Sequence, residues 1–279
     1  MLSKAPLRDA LIGAVAPLAS IAYRERPRVR VVSFHDTPIE REREFYDRMR
    51  WLADRHAVVS LADAAQGKGL DADGLNLVLT FDDGLKEHHT VAAGVLDALG
   101  LPATFFVPTG ALDLVGKQAA EFSRSGLGRS RTFEFMSSVD VHELAAHRSF
   151  AIGGHTFSHC DLGGAADFDV ELVAPRRVLE EITGHPVRWF AYPFGSPTHV
   201  SASAVTAIRS AGYEAAFTIV PSFWSRNSDP FLLGRDALSV DDSRAVWSGF
   251  LRGGYDALSA LKYHGPLGKV RSELHGQRR

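Results

Sequence analysis

The chain has 279 residues, 45% of them hydrophobic, with 31 Lys+Arg against 33 Asp+Glu and a formal net charge of −2. That length and apolar content suffice for one large domain with a full core, and the near-neutral balance excludes a nucleic-acid partner held by a basic track. The single cysteine, Cys160, excludes an intramolecular disulfide. No apolar run is long enough to cross a bilayer, so stable membrane insertion is excluded as well.

Residues 1–27 read as a lead-in. Leu11 to Ala22 is apolar behind Lys4 and Arg8, and Ser20-Ile21-Ala22 would suit a signal peptidase. Asp9 interrupts the basic region, however, and Pro17 sits mid-run. Leu7, Leu11, Val15 and Leu18 share one helical face, so the reading favours an amphipathic helix lying on the domain and a cytoplasmic location. A working leader would reverse the location to secreted or periplasmic.

The barrel-forming region, residues 28–260, alternates β-rich runs with helical patterns. Strands are predicted at 28–34, 75–81, 103–107, 150–154, 189–192, 215–219 and 237–240. Helices are predicted near 40–55, 86–99, 140–147, 170–183, 201–211 and 243–258, several ending in Gly. Along this stretch Arg24, Arg26, Arg28 and Arg30 read as a solvated strand edge, and His88 and His89 as exposed helix residues. Cys160 reads as a packed small hydrophobe. Residues 116–131, rich in Ser, Gly and Arg, read as a mobile loop, and the basic tail 261–279 as frayed.

Seven strands alternating with helices imply an α/β protein with a parallel sheet, closed as a barrel or open and doubly wound. The chemistry-bearing residues decide between them. His35 follows the first strand, Asp82 and Asp83 the second, His155 the fourth, and Tyr192-Pro193-Phe194-Gly195 the fifth. In a barrel all C-terminal strand ends meet at one mouth; in an open sheet, strands this dispersed would not share a crevice.

The adjacent carboxylates of Asp82 and Asp83 repel unless a cation absorbs one charge. About 70 residues later His155 and His159 supply two imidazoles at i and i+4. One carboxylate and two histidines, with positions left open, form a recurring catalytic metal set. The residues therefore point to metal-assisted hydrolysis of an amide or ester.

Thr80-Phe81-Asp82-Asp83-Gly84, His155-Thr156-Phe157-Ser158-His159 and Tyr192-Pro193-Phe194-Gly195, in that order, resemble the three motifs of the polysaccharide deacetylases with the NodB homology domain, carbohydrate esterase family 4. The flanking Leu101–Val107 and Ile152-Gly153-Gly154 agree, and the resemblance spans roughly Val31 to Val240. It implies a distorted (β/α)7 barrel that removes N-acetyl or O-acetyl groups from sugars. It also implies that Asp83, His155 and His159 hold a divalent cation, Zn2+ first, with Co2+ or Ni2+ equally suited to the ligands. Asp82 would be the general base, and the backbone N–H of Phe194 would face the oxyanion.

Two departures stand out. The third motif usually carries an Arg two residues before its Pro, where this chain has Ala191. Arg235, in Leu233-Gly234-Arg235-Asp236, is the candidate substitute, against the plainer reading of a surface pair with Asp236. The usual C-terminal Leu-x-His is also missing, Leu261-Lys262-Tyr263-His264 being a poor match. Instead Ser33-Phe34-His35-Asp36 resembles the block of a circularly permuted subgroup, the poly-N-acetylglucosamine deacetylases, which makes His35 the general acid. Trp189 and Tyr192 are stacking or core aromatics, and Trp224, in a polar loop, is the better stacking candidate. The substrate implied is an N-acetylated carbohydrate. Its rivals are a lipid- or nucleotide-linked sugar, and a catalytically silent barrel that only binds glycan.

Overall fold

Strand β1 (Arg28–Phe34) sends Val29 and Val31 to one apolar cluster and Val32 and Phe34 to another. This two-sided burial is what a parallel strand between a barrel bore and a ring of helices requires. The computed structural model describes residues 27–225, 227–256 and 259. The amphipathic-helix reading, Arg24, Arg26 and the basic tail lie outside the described residues. Among the described residues no helix is long and apolar enough to cross a membrane.

The remaining strands are β2 (Ala57–Val58), β3 (Leu75–Phe81), β4 (Ala103–Val107), β5 (Phe150–Gly154), β6 (Trp189–Ala191), β7 (Ala215–Phe217) and β8 (Arg235–Ala237). All pairings are parallel, in the order β7-β6-β5-β4-β3-β1-β8. The seam between β7 and β8 is stitched just before β8, where Thr218 N–H donates to Leu233 O at 2.8 Å and Leu233 N–H to Ala216 O at 3.0 Å. The result is a distorted (β/α)7 barrel, nearly closed. The short β2, unforeseen in the sequence, pairs with the start of β3.

The α-helices of the described residues are α1 (Glu42–Ala53), α2 (Leu61–Gln66), α3 (Ala93–Ala98), α4 (Gly116–Ser125), α5 (Ser138–Ala146), α6 (Ala174–Thr183), α7 (Ala202–Ser210) and α8 (Arg244–Leu251). Phe45, Met49, Leu52, Leu96, Val141, Leu179, Ile208 and Trp247 from these helices cover the outer sheet face. Val29, Val31, Val78, Phe106, Trp189 and Phe217 fill the bore.

Three expectations are corrected. Residues 116–131 are not a loop throughout: α4 buries Ala119 and Ser123 over a small cluster with Leu85, Leu127, Phe133 and Phe135. Its polar surface hid an amphipathic stripe. Arg30 is no solvated edge. It is fully buried, held by Asp236 at 2.7 Å and Asp256 at 2.6 Å, because β8 lies directly against β1. Finally, the last barrel strand starts at Arg235, two residues earlier than the apolar pattern places it. The pairing of Val31 with Arg235 sets that register.

Candidate metal centre and active site

Val78, Thr80 and Asp82 lie on the bore side of β3, since alternate residues share a face. Thr80 and Asp82 therefore rise toward the mouth formed by the C-terminal strand ends. The chain then turns through Asp83 at φ 74° and Gly84 at φ 63°, which swings the second carboxylate away from the first. Gly84 has little alternative, as a Cβ there would meet Val107 and Pro108 at 3.2 Å.

Arg235 enters the same bore from β8 and is completely buried. Its Nη1 and Nη2 donate to Asp82 Oδ1 and Oδ2, each at 2.7 Å, a bidentate pair. Further donation to Thr80 Oγ1 at 3.2 Å and Thr218 O at 3.1 Å holds the guanidinium in place. The surface pair with Asp236 does not form: neighbours on a strand face opposite ways, and Asp236 meets Arg30 instead. Burial pushes the Asp82 carboxyl up, but Arg235, His155 and His35 together more than offset it, leaving Asp82 below its ordinary value and ionised.

Asp83, His155 and His159 form a second group beside Asp82, and all three are buried. Asp83 Oδ1 lies 3.5 Å from His155 Nε2 and 3.3 Å from His159 Nε2. Each imidazole donates its other N–H to a carbonyl: His155 Nδ1 to Ala191 O at 2.7 Å, and His159 Nδ1 to Gly126 O at 2.9 Å. Those bonds put the protons on Nδ1 and leave both Nε2 atoms as lone pairs aimed at an anionic oxygen. Asp83 Oδ1 is buried without a hydrogen-bond donor. Three acceptors within 4.8 Å of one another fit a divalent cation. Burial opposes ionisation of Asp83, and positive charge on its His155 and His159 side, whether a second proton on the rings or a cation in its place, holds it well below the carboxylate range.

Backbone strain concentrates here. Of the five described non-glycine residues with positive φ, Asp83, Thr156, His159 and Phe194 belong to the three motifs, and Asp113 lies elsewhere. Such conformations persist only where surrounding contacts impose them. For the His155–His159 loop the contact is Glu171, which accepts from Phe157 N–H and Ser158 N–H at 3.0 Å and from Ser158 Oγ at 2.8 Å. Glu171 sits on a widened π turn, Asp169–Val173, that leads into α6.

His35 stands at the end of β1 with its Nε2 3.8 Å from Asp82 Oδ2. The residue expected to be exposed beside it is not: His88 is wholly buried, edge-on to Phe81, and its Nε2 donates to His35 O at 2.7 Å. Burial pushes His88 down, consistent with a neutral ring acting as a donor. Phe194 sits in a left-handed turn with Gly195, its ring edge-on to His159 at 4.8 Å. Within the described residues its N–H makes no hydrogen bond.

The sequence profile of the polysaccharide deacetylases matches residues 71–216, just over half of the chain. The chain belongs to that family. As a member it is a carbohydrate deacetylase, a hydrolase. It is 22% identical to YxkH of Bacillus subtilis (strain 168) over 215 residues, covering 75% of this chain and 69% of the relative. Among solved structures, the polysaccharide deacetylase BC0361 of Bacillus cereus superposes with a TM-score of 0.65 at 21% identity, over 81% of this deacetylase and 69% of that chain. IcaB of Ammonifex degensii superposes with a TM-score of 0.59 at 23% identity, over 80% and 97%.

Other aromatic and acidic candidates lie off the deacetylase centre. Trp224 bridges to Val29 at the start of β1 and packs edge-on against Phe217, at the opposite end of the barrel from the motifs. It fills the barrel floor, a partner its polar sequence neighbourhood did not reveal. Trp189 and Tyr192 are buried, and Tyr192 donates to Phe231 O at 3.0 Å. Cys160 packs on the outer core, its thiol pushed up to about 12 by burial and Glu171. His89, Asp140 and Glu143 also cluster, but the Lys86 ammonium already occupies Asp140 at 2.7 Å. Sequence reasoning missed Glu171, His88 and Thr80 as supports; only Thr80, on the alternation that leads to Asp82, left a signal.

Proposed function

We propose that this deacetylase removes N-acetyl groups from a carbohydrate, with a divalent cation, Zn2+ first, held by Asp83, His155 and His159. The observation that carries the reading is the convergence of three acceptor atoms beside a buried Asp82 that Arg235 grips through both oxygens. When bound, the cation supplies Lewis acidity, lowering the pKa of water from ~16 to about 7 and polarising the acyl carbonyl. A carboxylate held as low as Asp82 is a weak base and needs its proton donor acidified in that way.

Asp82 then takes the proton from the attacking water, and Arg235 keeps both its oxygens oriented. The unpaired Phe194 N–H faces the oxyanion. His35, partly exposed at the mouth, protonates the departing sugar amine, giving acetate and a free amino sugar. The absence of the third-motif Arg, with Ala191 in its place, is what would favour a silent glycan binder. The Arg235–Asp82 pair removes that support, because a binder has no use for an oriented buried carboxylate.

The test is acetate release from N-acetylglucosamine oligomers by chelated protein, before and after addition of Zn2+, Co2+ or Ni2+. Release restored by metal supports the reading; release indifferent to metal and chelator sinks it. Two substitutions separate the roles. Asp82→Asn is expected to retain the cation while turnover falls by ~10²–10⁴-fold. His35→Ala is expected to slow amide hydrolysis by roughly 10²-fold or more, with a much smaller loss on aryl acetates, whose leaving group needs no proton. Equal losses on both substrates would remove His35 from the acid role.

A further inference from the structure

Away from the mouth, the barrel wall buries three charged side chains that the proposed reaction does not use. Arg30, on the helix-facing side of β1, is fully enclosed, and so is Asp236 on β8. Asp256, just past α8, is buried as well. Arg30 Nη1 donates to Asp236 Oδ2 at 2.7 Å and Oδ1 at 2.9 Å. Its Nη2 donates to Asp256 Oδ2 at 2.6 Å and Oδ1 at 2.7 Å. The Phe223 ring lies 4.0 Å from the guanidinium carbon. Three separate parts of the chain therefore close on one side chain of β1.

Stability alone does not account for this arrangement. One guanidinium faces two carboxylates, and burial, with the Asp256 charge, pushes the Asp236 carboxyl up to about 7 in spite of Arg30. Apolar side chains of similar volume often serve stability as well, and the best-attested use of buried charge is to fix registry. β8 needs such a device. It is three residues long, and its ladder to β1 is Val31–Arg235, Val32–Asp236 and Ser33–Ala237. Leu233 packs in the bore and Leu238 and Val240 under the helices, so apolar contacts fix which face is which. They do not oppose a shift by two residues, which keeps every side chain on its face. Such a shift would carry Arg235 about 6.6 Å along the strand, at ~3.3 Å per residue. The Asp82 oxygens, now 2.7 Å away, would be out of reach.

We propose that Arg30, Asp236 and Asp256 are positioning residues for the deacetylation: they fix the register of β8 on β1 and so hold Arg235 against Asp82. Arg235 and Asp236 are consecutive, and each meets an opposite charge on its own face of the sheet. The two pairs grip β8 from both sides at a single register. The inference rests on the reading above, in which Asp82 takes the proton from the attacking water. The outer face of the barrel wall and the segment beyond α8 thereby bear on the geometry of Asp82.

The test compares the wild type with an apolar triple variant, Arg30→Met with Asp236→Leu and Asp256→Leu. Asp236→Asn, which keeps the side-chain shape, takes its place if the triple variant does not fold. Thermal melting and zinc titration show that each is folded and loaded, and the triple variant should melt close to the wild type. Its kcat for acetate release from N-acetylglucosamine oligomers should fall about tenfold or more with KM unchanged, as for a group displaced by roughly an ångström. Amide exchange at Leu238, whose N–H donates to Ser33 O at 2.9 Å across β1 and β8, should quicken. Exchange at Tyr192, whose N–H donates to Phe217 O at the end of β7, should not. Added to Arg235→Met, the three substitutions should lower kcat no further, since their effect runs through Arg235.

Wild-type kcat in a folded variant would overturn the proposal, whatever the exchange rate at Leu238. So would a kcat loss with Leu238 exchange unchanged, or one that persists undiminished beside Arg235→Met. None of those results would touch the deacetylase reading. A wild type that releases no acetate from any glycan would instead remove that reading, and the positioning role with it.

Discussion

His155→Ala is expected to abolish retention of the divalent cation and acetate release together. The triad supplies one carboxylate and two imidazoles, and the variant keeps only Asp83 and His159. Two protein ligands fall short of the three that catalytic zinc sites use. The loss also reaches beyond the ligand atom, because His155 donates to Ala191 O at 2.7 Å and so ties the end of β5 to β6. Metal content after dialysis, calorimetric zinc titration and acetate assay on one preparation check the point. A metal-free variant that still releases acetate would remove the cation from the reaction. Full zinc affinity in the variant would move the centre elsewhere.

Arg235→Met is expected to cost about 3–5 kcal/mol of stability and most of the activity. Removing one partner of a buried pair strands the other charge in a low-dielectric bore. Asp82 is almost fully buried and has no other arginine to turn to among the described residues, as Arg30 is taken up by Asp236 and Asp256 on the far side of the sheet. In the wild type Asp82 lies below the ordinary carboxylate value of 3.8. It thus contributes stability that is present above that value and lost as pH falls through the folded-state pKa.

In the variant only His155 and His35 are left to oppose burial, so the carboxyl rises relative to the wild type. The stability gap between wild type and variant should then be widest at neutral pH and shrink as the medium is acidified below about pH 4. The acid limb of the rate profile should move upward for the same reason. The decisive measurement is a double-mutant cycle by denaturant unfolding. Arg235→Met with Asp82→Asn should be more stable than Arg235→Met alone, since no charge is left stranded. A double variant no better than the single one would show that Arg235 acts by packing on Phe106 and not through Asp82.

Asp82, Asp83, His155 and His159 were legible because each sits within a short motif at a strand end, and strand ends are readable from apolar runs. The supports of these residues were not. Glu171 lies 12 residues beyond His159, and only the π turn ahead of α6 brings its carboxylate back under the loop. His88 looked like one of two exposed helix histidines, yet the turn that starts at residue 88 puts it in the core beneath His35. Trp224 looked unpartnered in a polar loop because its partners, Val29 and Phe217, belong to strands far away in the chain.

The sequence by itself determined the alternation of strands and helices, the parallel barrel and the residues that can hold a cation. These follow from local periodicity and from chemistry confined to five-residue windows. Only the tertiary structure decided which arginine faces Asp82. Arg30 lies between Val29 and Val31, and Arg235 between Gly234 and Asp236, and neither local context tells which guanidinium faces the bore. The register of β8 against β1, Val31 opposite Arg235 and Val32 opposite Asp236, sends Arg235 into the bore and leaves Arg30 to Asp236 and Asp256. A slip of one residue would exchange the faces, because side chains alternate along a strand. That register is set by pairing between segments some 200 residues apart in the chain, and no local pattern encodes it.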